Sequence, residues 1–117
     1  MLGHGDNANA LSNVAPIFSA LADPVRLAIV ARLCKEGPLP TIELKRCAGG
    51  VSRQGVTKHL QVLEHVGLVE SSRVGRDRQW RLQVQQFAAM REYLDWVSAQ
   101  WDRRLERLRA FVESDTD

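Results

Sequence analysis

The sequence predicts a mainly α-helical domain with one small β-hairpin and a long C-terminal helix. Three observations carry this. Apolar residues recur at three- and four-residue steps through most of the chain. Two short extended stretches flank a Gly-Arg-Asp-Arg tip at residues 75–78. The segment from Gln85 to Glu113 carries one heptad-like apolar stripe. The 117 residues suffice for a single domain, and 44% hydrophobic with 26% charged residues is the balance of a globular chain.

Residues 1–11, rich in Gly, Asn and Ala, are expected to form a flexible tail, leaving 12–117 as the folded domain. From Ser12 to Ala22 the spacing of Val14, Ile17, Phe18 and Leu21 predicts a short amphipathic helix. Asp23-Pro24 then opens a second, Asp as N-cap and Pro at the first helical position, running to Lys35 with Ile29, Val30 and Leu33 inward. Gly37-Pro38-Leu39-Pro40 ends it. Thr41 is the expected cap of a short third helix over 42–48, which stops at Gly49-Gly50. Ser52 caps a fourth from Arg53 to Val66, with Gly67 in the C′ position. Strands follow at Leu68–Val74 and Gln79–Val84, joined by a charged tip at 75–78, and the last helix covers 85–113.

Helix, helix, short helix, Gly-containing turn, helix, hairpin and helix is the order of a winged helix-turn-helix. In the fourth helix Val56, Leu60, Leu63 and Gly67 fall on one side, and Gln54, Lys58 and Gln61 fall almost opposite, flanked by Arg53 and Thr57. Long polar side chains near a helix N-terminus suit the major groove, where Arg reads guanine and Gln reads adenine. The free N–H groups there attract a phosphate. The plain alternative is a solvated amphipathic face. The hairpin adds Arg73, Arg76, Arg78 and Arg81 against one acid, Asp77, which suits a minor groove or its flanking phosphates; a charged edge hairpin that blocks aggregation is the alternative. Net charge is only +2, yet residues 24–83 carry eleven Lys/Arg against five Asp/Glu, while both flanking segments are net acidic. A basic centre suits a polyanion partner.

Two blocks, FSALADPVRLAIVARLCKEGPL and SRQGVTKHLQVLEHVGLVESSRVGRDRQWRL, resemble the ArsR/SmtB family of dimeric repressors over residues 14–112. The resemblance implies a winged helix-turn-helix, dimerisation through the first and last helices, and repression of an operator, often the protein's own. It places Ser52 to His59 on the recognition-helix signature and Arg73 to Arg81 on the wing. The expected DNA-binding set is Ser52, Arg53, Gln54, Thr57, Lys58, His59, Gln61, Arg73, Arg76 and Arg78. Gly55 stands where the family usually has Ala or Pro.

The metal-sensing pattern of the family is not matched. Cys47 stands alone where a cysteine pair would be needed, the last helix has no His, and His59 and His65 do not share a helix face. No metal and no cofactor is expected. Cys34 and Cys47 read as reduced thiols, Cys34 packed among apolar neighbours, with a thiol-responsive repressor as a secondary reading. No catalytic constellation appears, so a non-enzymatic role is expected. No membrane span or secretory leader is read from the sequence, which makes the cytoplasm the expected location.

On the last helix Phe87, Met90, Leu94, Val97, Trp101, Leu108 and Phe111 follow the stripe, broken by Arg104, over about 40 Å of helix. A domain this small cannot cover such a length. The expected homodimer interface is therefore Phe18, Met90, Leu94, Val97, Trp101 and Leu108. The expected partners are a second copy and double-stranded DNA carrying a palindromic operator. A winged-helix protein-interaction module without DNA binding is the reading from another class; it would more often carry apolar or acidic residues at 53, 54 and 58.

Overall fold

The computed structural model describes residues 4–115, with side chains over 12–114. The elements are α1 (His4–Leu21), α2 (Pro24–Glu36), β1 (Leu39–Pro40), α3 (Thr41–Arg46), α4 (Arg53–His65), β2 (Val69–Val74), β3 (Asp77–Leu82) and α5 (Val84–Asp115). The predicted class holds: mostly helical, a small antiparallel sheet as wing, and a long final helix.

Several boundaries differ from those predicted. Positions 1–3 of the expected tail lie outside the described residues, but from His4 onward the chain is helical. Ala8 and Ala10 favour helix, yet with no large apolar residues between them the segment gives no periodic signal. Pro16 lies inside α1.

The third helix ends at Arg46 rather than at residue 48, and Thr41 does not cap it: the cap position is Pro40, with no side-chain hydrogen bond. The Thr41 hydroxyl instead accepts the indole N–H of Trp80 at 3.0 Å. A buried Trp needs an acceptor for its N–H, and that requirement decides the matter.

The sheet has three strands in the order β1-β3-β2, not two. Leu39 and Pro40, expected as loop, pair with Trp80 and Gln79. Pro is tolerated there because β1 is an edge. The hairpin is also tighter than predicted. Val74 pairs with Asp77 and Arg73 with Arg78, which leaves Gly75-Arg76 as a two-residue turn. Gly75 has the positive φ, +65°, that a type II′ turn requires of its first central residue, and Arg76, like every other described non-Gly residue, does not.

The core draws on every layer. Ile17, Ile29, Leu33, Leu44, Val56, Leu60, Leu63, Leu68 and Trp80 are buried, and Phe87 and Met90 pack partly against them. Asp23 caps α2, its carboxylate accepting the N–H groups of Val25 at 2.8 Å and Arg26 at 3.1 Å. Arg32 of α2 donates to the backbone carbonyl and the carboxylate of Glu43, fixing α3 beside α2. Cys34 is exposed, contrary to the packed position expected, and Cys47 is half-buried. Among the described residues no single helix is long and apolar enough to cross a membrane.

Candidate nucleic-acid interface

The geometry of α4 begins at Ser52. Its hydroxyl accepts the N–H of Gly55 at 3.1 Å, capping the helix as predicted. Val56, Leu60 and Leu63 then sink fully into the core, which fixes the opposite face outward. At the far end the side-chain amide of Gln86 donates to the Val66 carbonyl at 3.1 Å. The chain leaves α4 through Gly67 at φ +81°. Both ends of α4 are thus held, one by its own cap and one by α5.

Arg53, Gln54, Thr57, Lys58 and Gln61 line one shallow groove along the outward face. Arg53, Gln54, Lys58 and Gln61 are exposed. Arg53 and Lys58 have no ion-pair partner among the described residues. The Thr57 hydroxyl donates to the Arg53 carbonyl at 2.9 Å, so towards a ligand it offers only its lone pairs. Ser52 is spent as an acceptor at the cap but keeps its O–H to donate.

His59 is placed differently from these. It is half-buried at the edge of the face, and its Nδ1 lies 3.1 Å from Nη1 of Arg26. Arginine can only donate, so Nδ1 accepts and the ring proton sits on Nε2. Arg26 also donates through Nε to the Ala20 carbonyl at the end of α1. One side chain thereby ties α1, α2 and α4 together. The sequence reading missed this residue, although Arg26 stands in the quoted DPVRL motif.

In the wing the arginines are not equivalent. Arg81 pairs with Glu70, which also accepts from Gln83. Arg78 donates to Ser71 at 2.9 Å, and its guanidinium lies 5.9 Å from the centre of the Trp80 ring. Arg73 and Arg76 have no ion pair among the described residues. Arg73 stands directly across the ladder from Arg78, a like-charge pairing that destabilises a sheet unless an anion relieves it. Positive charge therefore concentrates at the tip, and the base of the wing is neutralised. The Trp80–Thr41 hydrogen bond fixes that base to α3.

Among the described residues no three of His, Cys, Asp and Glu come together as a metal-binding group. Of the predicted dimer residues, Leu94 is 48% exposed, Trp101 58% and Leu108 59%. Val97 is half-buried. Phe18 meets Tyr93 of its own chain edge to face, with ring centres 6.0 Å apart. Met90 lies partly against its own core. Leu105 and Val112, which the reading missed, are also large, apolar and exposed. Leu105 lies about 40° round the helix from Trp101, so the stripe passes beside Arg104 instead of breaking there.

A family profile described as a helix-turn-helix domain matches residues 21–72. The chain is 39% identical to the HTH-type transcriptional regulator Rv2034 of Mycobacterium tuberculosis over 100 residues, 86% of this chain and 89% of that protein. Its structure is similar to that of an ArsR-like transcriptional regulator from Rhodococcus sp. RHA1, with a TM-score of 0.72, 32% identity, and coverage of 88% of this chain and 95% of that one. The chain belongs to the ArsR family of transcriptional regulators. A second ArsR-family candidate, the homodimeric winged helix-turn-helix DNA-binding domain Mb0332 of Mycobacterium bovis (fragment 1–100), matches with a TM-score of 0.61 and 30% identity. That match covers 92% of this chain and 95% of that domain. In this ArsR-family chain α3 and α4 form the helix-turn-helix, β2 and β3 the wing, and α5 the long final helix.

Proposed function

We propose that the chain is a homodimeric repressor that binds a palindromic operator in its own promoter through α4 and the arginine-tipped wing. The observation that carries this reading is the grouping of Arg53, Gln54, Thr57, Lys58 and Gln61 along one groove. Two of these are cations with no acid paired to them among the described residues, so their charge stays available for a polyanion. Arg53, Gln54 and Gln61 hold the donor and acceptor patterns that read base edges, while Lys58, Arg73 and Arg76 neutralise phosphates. The free N–H groups at the start of α4 favour a phosphate there. The homodimeric state of the Mycobacterium bovis relative supports the same assembly here. Leu94, Trp101, Leu105 and Leu108 supply the apolar surface for it. In this reading the protein acts on DNA in the cytoplasm.

Fluorescence anisotropy on a labelled duplex from the region upstream of the gene tests this. Affinity for one short palindrome should exceed that for its scrambled version by about a thousandfold or more and fall steeply with salt. Equal affinity for both sequences would sink the specific reading.

A further inference from the structure

A second groove lies behind the DNA-facing one, between α1 and α4. Pro16 and Ala20 of α1 and Val62 and Val66 of α4 give it apolar walls, and Val62 is left 40% exposed. Arg26, Lys58 and His65 stand around it, and no Asp or Glu lines it. Its volume of about 560 Å³ falls within the usual range of small-molecule sites. Arg26 is held in place by the Ala20 carbonyl and His59, with further N–H groups still free to donate. No Phe, Tyr or Trp lines the groove. Aliphatic walls with a cationic rim fit an acyl chain ending in a carboxylate.

We propose that this groove binds a small aliphatic carboxylate and that its occupation competes with DNA. Lys58 and Gln61 line both grooves. A carboxylate drawing Lys58 towards α1 takes that ammonium away from a phosphate, so ligand and DNA draw on the same side chains. Each then weakens the other by the same factor. The competitive half of this proposal rests on the DNA-binding reading above; the binding half does not.

The test uses the full chain and two probes of equal chain length, decanoate and decyltrimethylammonium, followed by NMR of the Val62 and Val66 methyl groups without DNA. Decanoate should shift these signals saturably, and the cation should not. Val62→Glu and, separately, Ser19→Trp, which fills the groove from α1, should each weaken decanoate binding about tenfold or more. Equal response to both probes, no saturation, or decanoate binding unchanged in both variants would overturn the site. A partner's helix already seated there would produce the same absence of saturation and overturn it equally. In the second arm, decanoate at ten times its dissociation constant should raise the apparent dissociation constant for operator DNA about elevenfold. Saturable decanoate binding with unchanged DNA affinity would overturn the competition, and a protein that binds decanoate but no specific DNA would contradict the proposed function while leaving the site standing.

Discussion

Nη1 of Arg26 and Nδ1 of His59 lie 3.1 Å apart, joining α2 to α4. Arg26 also holds the carbonyl that ends α1, so its removal frees two acceptors at once. Arg26→Ala should cost about 2 kcal/mol in a urea-unfolding experiment, the usual scale for hydrogen bonds made by a charged donor. Lysine, with its compact ammonium, cannot reach both acceptors in a fork, so Arg26→Lys should recover little. Full stability in the lysine variant would show the bridge to be incidental.

Gly55 offers a sharper test of packing. A Cβ placed there meets Cγ1 of Val51 at 2.5 Å, and Val51 packs against the core. Replacing a helical Gly by Ala ordinarily gains about 1 kcal/mol. Here Gly55→Ala should gain nothing or destabilise, because the neighbour must move. In a Val51→Ala background the same change should recover the gain, giving a non-additive cycle. A stabilisation of about 1 kcal/mol from Gly55→Ala alone would contradict the geometry.

Asp23 predicts a pH dependence. The N–H of Arg26 above all, helped by that of Val25 and by the charge of Arg26, outweighs partial desolvation and holds this carboxyl below its ordinary value of 3.8. Its folded value is lower than its unfolded one, so the stabilisation is complete above the unfolded value and disappears as pH falls through the folded value. Asp23→Asn keeps an acceptor at the cap but does not titrate. Urea midpoints for that variant should therefore fall less between neutral and acid pH than those of the unsubstituted protein. Parallel acid limbs for the two would remove Asp23 from the explanation.

Assembly is tested on α5, a helix of 32 residues and about 48 Å. Val97→Glu with Trp101→Glu places charge on the apolar stripe, at half-buried Val97 and exposed Trp101. Sedimentation at micromolar concentration should then show monomers where the unsubstituted protein shows dimers, with operator affinity falling by orders of magnitude although no residue near the bases has changed. A protein that sediments as a monomer without these changes, and binds operator as one subunit, would contradict the dimer.

Much of this was legible in the residues. Period and caps gave α2 and α4 nearly to the residue, because Asp23-Pro24 and Ser52 are local signals whose partners lie within three positions. The outward set on α4 followed from the same period. What was not legible depended on distant partners. Thr41 reads as a cap until Trp80 claims its hydroxyl. Leu39-Pro40 reads as loop until β3 lies beside it. The wing arginines look alike in sequence, and only the ladder, which sets Arg81 beside Glu70 and Arg73 opposite Arg78, separates them.

In the proposed function two copies of α4 and the wing read a specific duplex. Hydroxyl-radical footprinting on the upstream region measures it most directly. Two protected patches should appear, with centres about 34 Å, or one DNA turn, apart. Arg53→Ala and Gln54→Ala should each cost about 1–3 kcal/mol and relax the base preference within each patch. Arg76→Ala should weaken every sequence alike and reduce the salt slope by about 1. Uniform cleavage along the duplex, or protection that survives Arg53→Ala and Gln54→Ala together with its base preference intact, would rule out specific reading by α4.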